Sequence, residues 1–99
     1  MSVIVVARMQ VDPGKVEALF KSRKSDFEAI AGDAKKAGAL HHQFLAGEGV
    51  TVIVDEWTNA EAFQTFFADP RIASLMQEAG VAEAPQILIY EQMDSPDRF

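Results

Sequence analysis

The stretch Val54-Asp55-Glu56-Trp57-Thr58-Asn59-Ala60-Glu61-Ala62-Phe63 decides the fold. A run of β-branched residues ends here in two carboxylates and the only tryptophan of the chain. Thr58 and Glu61 have the spacing of a capping box, in which both side chains bond to free amides at the start of a helix. The stretch therefore predicts a strand that ends beside the first turn of a short helix.

The residues upstream predict a β-hairpin. Val50–Trp57 is rich in β-branched residues and reads as the third strand, and Ala39–Leu45 reads as the second. Between them, Gly47-Glu48-Gly49 is typical of a tight turn, because glycine accepts the positive φ that such turns need. The two strands are therefore expected to pair antiparallel.

The N-terminal third predicts a strand followed by one long amphipathic helix. Val3–Val11 is β-branched and apolar, and Asp12 can cap a helix whose first turn tolerates Pro13. Residues at helical spacing then run from Val16 to Ala34, with one polar interruption at Arg23, and the helix is expected to end near Gly32 or Gly38. They are Val16, Leu19, Phe20, Arg23, Phe27, Ile30 and Ala34.

The C-terminal part predicts more helix and a last strand. A short helix carries Phe63, and Asp69-Pro70 restarts a helix that Gly80 ends in a left-handed conformation. Gln86–Met93 reads as the fourth strand. Residues 94–99 form a polar tail, expected to fray unless a partner holds it.

The predicted order is β-α-β-β-α-β, an α+β ferredoxin-like fold in a single domain of residues 1–99. It has a four-stranded antiparallel sheet with helices on one face. The strands at Val3–Val11 and Val50–Trp57 are apolar on both of their alternating faces. Since an exposed apolar face of this size is unusual in a monomer, we predict a homodimer through the open sheet face.

Composition excludes several classes of function. The net charge of −6 argues against nucleic acid, whose phosphates need a basic surface. No apolar run approaches the roughly 20 residues of a membrane span, so no membrane partner is expected. The N-terminus lacks the pattern of a signal peptide, and a cytoplasmic location is expected. There is no cysteine, which excludes thiol chemistry and disulfides.

His41 and His42 are the only histidines. Neighbours in a strand point to opposite faces, so they cannot chelate one metal ion together, and no metal site is predicted. Each histidine is either a hydrogen-bonded structural group or a general base, since histidine titrates near neutrality.

Asp55 and Glu56 also lie on opposite faces of their strand, and counting from the turn places Asp55 level with His41 or His42. A carboxylate beside a histidine would orient its ring. A register slip of one residue reverses the faces, so both pairings remain open. The predicted catalytic residues are His41, His42 and Asp55.

Aromatic residues could line a pocket or simply pack the core. The residues in question are Trp57, Phe63, Phe66, Phe67, Phe20, Phe27 and Tyr90. Arg8 is a lone cation in an apolar strand, which could bind an anionic substrate or, as we favour, pair with Glu56 or Glu91. The predicted substrate-binding residues are Trp57, Phe63, Phe67, Tyr90 and Arg8.

The sequence resembles the antibiotic-biosynthesis-monooxygenase-like (ABM) family of dimeric α+β barrels over about residues 3–93. The resemblance lies in Pro13-Gly14-Lys15, in Glu56-Trp57 with Phe63, and in the last strand at Ile87–Tyr90. It implies a pocket between helices and sheet, in which some members oxidise polycyclic aromatics without metal or flavin. Others degrade haem with a strand-one asparagine, a strand-three tryptophan and a helix histidine. Here Trp57 matches the tryptophan, but Ala7 stands at the asparagine position and no histidine follows Trp57, which disfavours the haem branch.

Three functions are therefore open. The first is a cofactor-independent monooxygenase, an oxidoreductase acting on a small aromatic or quinol-type substrate. In it a histidine base would form a resonance-stabilised anion that reacts with oxygen, with aromatic side chains excluding water. The second is a dimeric ligand-binding or stress-associated protein without catalysis, and the third an isomerase of a small carbonyl compound. None of the three is expected to need a cofactor.

Overall fold

The computed structural model describes all 99 residues and contains four strands and four helices. In chain order they are β1 Val3–Met9, α1 Pro13–Ser22, α2 Lys24–Ala37, β2 Ala39–Ala46, β3 Thr51–Trp57, α3 Ala60–Phe67, α4 Pro70–Ala79 and β4 Gln86–Glu91. The strands form one sheet in the order β2-β3-β1-β4, and every neighbouring pair is antiparallel. The predicted α+β ferredoxin-like fold is confirmed.

The predicted single long helix is wrong, because the chain turns at Arg23. This residue has φ −122° and ψ 30°, between α1 and α2. Its backbone N–H still bonds to the carbonyl of Leu19 and so closes α1. Its guanidinium donates two hydrogen bonds of 3.0 Å to Glu78 of α4. The polar residue that interrupts the helical pattern therefore marks a real break and anchors it to a neighbouring helix.

The predicted starts of α1 and α4 are confirmed. Asp12 and Asp69 each accept a hydrogen bond from a backbone amide two residues on, and a proline occupies the first turn of each helix. Gly80 ends α4 at φ 95°, in the left-handed conformation expected for it.

The cap of α3 differs from the prediction. Asn59, not Thr58, is the N-cap, since its Oδ1 accepts a 2.8 Å hydrogen bond from the amide of Ala62. Thr58 donates its backbone N–H to the carbonyl of Gly38 at 3.0 Å, which joins the end of β3 to the end of α2. Because that contact fixes Thr58 in the strand connection, the helix begins one residue later.

The hairpin between β2 and β3 forms as predicted, with Gly49 at φ 70° in the turn. The ladder is regular from Ala46 back to His41 and then shifts, because Ala39 lies opposite Trp57 while His41 lies opposite Glu56. Leu40 is therefore an extra residue, a β-bulge in an edge strand.

One face of the sheet is covered by the helices and holds the core. Two clusters of buried residues pack there: Met9, Val11, Val16, Leu19 and Ala79 in one, and Val3, Val5, Trp57 and Phe63 in the other. The other face is open and largely apolar, with Leu45, Leu88 and Tyr90 exposed at 42%, 39% and 51%. No helix has the length and apolar character needed to cross a membrane.

Candidate functional site

A cavity of about 420 Å³ lies between the sheet and the helices. It is lined by 26 residues, of which 22 are hydrophobic, so its interior suits an apolar ligand. The four exceptions are Lys35, His41, His42 and Asp55. The space between helices and sheet is therefore not packed solid by aromatic side chains.

A chain of three side chains borders this cavity. His42 Nδ1 lies 2.7 Å from Asp55 Oδ1, and Trp57 Nε1 donates to Asp55 Oδ2 at 3.1 Å. The side chain of Asp55 is only 10% exposed, whereas that of His42 is 46% exposed. Both oxygens of a nearly buried carboxylate are thus satisfied, and the histidine is the member that a ligand can reach.

Strand alternation and strand pairing explain this arrangement. Asp55 and Trp57 are two residues apart in β3 and so share the helix-covered face. His42 lies directly opposite Asp55 in the ladder with β2. The structure thus selects His42 over His41 as the partner of Asp55, a choice that the sequence left open.

The hydrogen bonds define the chemistry of the ring. An ionised carboxylate can only accept, so His42 Nδ1 carries the proton towards Asp55. The remaining nitrogen, Nε2, then presents a lone pair and has no protein partner. This is the arrangement of a general base whose orientation is fixed by an acid behind it.

The aromatic residues both line the cavity and pack the core. The ring centroids of Trp57 and Phe63 are 5.8 Å apart at 71°, and those of Phe63 and Phe67 are 5.2 Å apart and stacked. Phe66 also lies 5.5 Å from Trp57. Phe20 and Phe27 form a separate edge-to-face pair. Trp57, Phe63 and Phe67 therefore sit where a ligand in the cavity would meet them.

Two of the predicted substrate-binding residues lie elsewhere. Arg8 and Tyr90 belong to the open face of the sheet and do not line the cavity. The predicted ion pair of Arg8 with Glu56 or Glu91 is also wrong. Glu91 lies opposite Val3 in the ladder between β1 and β4, and therefore shares the helix-covered face of the sheet with it. Glu56 is occupied by other partners, and Arg8 makes no ion pair.

His41 differs from its neighbour although it also borders the cavity. Its Nε2 lies 3.8 Å from Glu56 Oε1 on the open face, and its side chain is 80% exposed. The ring is thus directed away from Asp55, and the structure does not bring His41 together with the other predicted catalytic residues.

A polar network at the edge of the open face was missed in the sequence. The Ser2 hydroxyl donates to Glu56, and Gln92 Nε2 bonds to Ser2 Oγ at 2.7 Å. Arg98 of the C-terminal tail donates to Gln92 Oε1 at 2.7 Å. The hydrogen bond from Ser2 is the main cause that lowers the pKa of Glu56 below its ordinary value. The tail is therefore tied to the sheet, and no local sequence pattern predicts contacts between residues so far apart.

The structure contains no group of three or more histidine, aspartate or glutamate side chains arranged to hold a metal ion. Asp55 is the only buried carboxylate, and both of its oxygens are taken by His42 and Trp57. The site therefore combines the His42–Asp55 pair with an apolar space.

Comparison with known proteins identifies the fold. The sequence matches no protein-family model, and no curated protein matches it. Solved structures do match. SnoaB from Streptomyces nogalater, described as a cofactor-independent oxygenase, is 18% identical, with 98% of each chain covered and a TM-score of 0.65. The fold is that of the ABM-type proteins.

Two further ABM-type structures resemble the chain to a similar degree. The monooxygenase from the gene ActVA-Orf6 of Streptomyces coelicolor, in complex with nanaomycin D, is 19% identical. The match covers 95% of this chain and 89% of that one, with a TM-score of 0.67. A candidate antibiotic biosynthesis monooxygenase from Caulobacter crescentus CB15 is 23% identical over 94% and 91% of the chains, with a TM-score of 0.64. At these identities the likeness establishes the ABM-type fold.

Proposed function

We propose that the protein is a cofactor-independent monooxygenase acting on a small aromatic or quinol-type substrate. The observation that supports this most directly is the His42–Asp55–Trp57 chain at the edge of an apolar cavity. A base with a fixed ring, next to space for a hydrophobic ligand, suits removal of a proton from an activated C–H or O–H group.

The proposed reaction uses the side chains in sequence. His42 Nε2 takes a proton from the substrate, and the imidazolium that forms is stabilised by Asp55 through Nδ1. The substrate anion transfers its electrons to molecular oxygen and forms a peroxide anion at carbon. This anion takes the proton back from His42 Nε2, which gives a hydroperoxide and restores the base. Loss of water then leaves a carbonyl, so that a CH₂ group and O₂ give C=O and H₂O. A ligand that fills the apolar cavity displaces water from the exposed side of His42, which strengthens the His42–Asp55 contact.

The similar structures lend support at the level of the fold. One of them is described as a cofactor-independent oxygenase, and another holds nanaomycin D, a small molecule. The activity of this chain stands as a proposal built on its own residues, since those proteins share only 18% and 19% of its sequence.

Oxygen uptake with hydroxylated aromatics, hydroquinones and anthrones tests the proposal. We expect one O₂ consumed per substrate oxidised, with no added metal or flavin and with a chelator present. A parallel incubation in deuterated water without oxygen measures proton abstraction alone. Incorporation of deuterium into the substrate, with no oxygen uptake in air, would indicate an isomerase in place of an oxygenase. If no substrate gives either oxygen uptake or deuterium incorporation, the protein would be assigned as a ligand-binding protein without catalysis.

We also propose that two copies of the chain pack through their open sheet faces. This face carries a continuous set of apolar side chains, Ile4, Val6, Leu45, Val52, Val54, Leu88 and Tyr90. Since monomeric proteins seldom leave an apolar sheet face in water, a second copy is the partner that this face suits. Light scattering at micromolar concentration is expected to give twice the chain mass of 10.9 kDa. A monomer mass would overturn this assignment.

A further inference from the structure

One lysine borders the cavity that holds the proposed base. Lys35 lies in the last turn of α2 and is exposed. It is the only lysine or arginine among the 26 lining residues. It also makes no ion pair with any carboxylate, whereas Arg23 and Arg71 are both paired. Lys35 thus places a positive charge, which is not paired with any carboxylate of the protein, at the edge of an apolar space.

We infer that the cavity takes a ligand with an apolar body and one carboxylate, and that Lys35 binds the carboxylate at the edge of the cavity. The inference rests on the site proposed above and specifies the class of substrate that this site accepts. Lys35 and His42 border the same cavity from consecutive elements, α2 and β2.

The one carboxylate that borders the cavity does not offer a site for a cationic ligand. Asp55 is satisfied by His42 and Trp57, and therefore offers nothing to a cationic ligand. The chain as a whole has a net charge of −6. An anionic ligand is repelled by most of this surface, so a local cation is needed to hold a carboxylate there.

A simpler role for Lys35 is to offset the negative end of the helix dipole. The last turn of α2 holds two lysines, Lys35 and Lys36, and both can do this. Only Lys35 borders the cavity. Lys36 is therefore a matched control, since it shares the helix end and the charge but not the proposed binding role.

Paired probes of one shape and different charge test the inference. We would titrate the wild-type protein with 2-naphthoate and with 2-naphthamide, which is its neutral counterpart, and follow ligand fluorescence. Naphthoate is expected to bind about fivefold more tightly, the effect of one partly solvated ion pair, and added salt should reduce this preference. Lys35→Gln should remove the preference, whereas Lys36→Gln should keep it. Thermal melting of both variants checks that the fold is intact.

The outcomes separate the inference from the catalytic proposal, because binding is measured without turnover. Equal binding of the two probes to the wild-type protein, or a preference that survives in Lys35→Gln, would overturn the carboxylate assignment and leave the apolar site standing. Equal loss of the preference in Lys36→Gln would assign it to the general charge of the helix end instead, and would also overturn it. Failure of both probes to bind would overturn the carboxylate inference, whereas the catalytic proposal is tested separately by oxygen uptake.

Discussion

Two neighbouring histidines face two neighbouring carboxylates across the same pair of strands, yet the two pairs differ. On the helix-covered face, His42 and Asp55 approach to 2.7 Å, and Asp55 is 10% exposed. On the open face, His41 and Glu56 are 3.8 Å apart, and His41 is 80% exposed. The residue types are nearly the same, so the environment makes the difference. Both acids have a further partner, Trp57 for Asp55 and Ser2 for Glu56. The covered pair therefore differs mainly in the exclusion of water from its acid.

The largest effect is expected from a substitution that breaks the His42–Asp55 pair on the helix-covered face. His42→Ala should lower kcat by about 10²–10⁴-fold, the usual contribution of a general base. His41→Ala is the matched control, since it removes a neighbouring imidazole that is directed to the other face, and should change kcat little. Steady-state oxygen uptake measures both. Similar losses in the two variants would mean that the faces are not functionally distinct.

The next effect concerns the open face as a whole. Leu88→Glu places a charge where the proposed dimer would bury it, once in each copy, and should weaken association by on the order of 100-fold or more. The side chain is 39% exposed in the single chain, so folding should tolerate the change. Gln64→Glu adds the same charge on the outer surface of α3 and should leave the mass unchanged. Sedimentation that still shows a dimer for Leu88→Glu would place the interface elsewhere.

A smaller effect is expected on the free energy of unfolding when Asp55 and Glu56 are removed in turn. Asp55→Ala leaves the buried Trp57 N–H without its acceptor and should lower the free energy of unfolding by about 1–3 kcal/mol. Glu56→Ala should cost less, because its surroundings are partly open to water and its neighbours can bond to solvent instead. Urea denaturation of both variants, at the same pH, measures the difference. An equal loss would show that the environments of the two acids matter less than the geometry suggests.

The smallest effect is a dependence of stability on pH. The Ser2 hydroxyl, as the largest cause, lowers the pKa of Glu56 below its usual value of 4.5. The group therefore stabilises the fold fully above pH 4.5 and loses this contribution as the pH falls through the lowered pKa. The stability difference between wild type and Glu56→Gln should shrink on acidification. Ser2→Ala should weaken the same trend, and a difference that stays constant from neutral to acidic pH would contradict it.

Much of the fold was predictable because its signals are local. Alternation along Thr51–Trp57 places Asp55 and Glu56 on opposite faces, and Asp12, Asp69 and Gly80 mark helix ends through contacts within a few residues. Local signals also compete, however. Thr58 and Asn59 are both good caps, and the contact of Thr58 with Gly38, distant in sequence, decides between them.

The site was less predictable because it depends on contacts between distant parts of the chain. Asp55 was expected to lie level with His41 or His42, but only strand register selects His42. Arg8 and Tyr90 have side chains suited to a substrate, yet the register turns both to the open face. No sequence pattern distinguishes Lys35 from the neighbouring Lys36, and only the tertiary structure shows that Lys35 borders the cavity.

The bulge at Leu40 sets which of the two histidines faces the cavity. Counted from Ala39, which faces the helices, a regular strand would present His41 to the cavity. The extra residue shifts the count by one, so that His42 takes this place. A one-residue slip of β2 that removed the bulge would place His41, instead of His42, opposite Asp55.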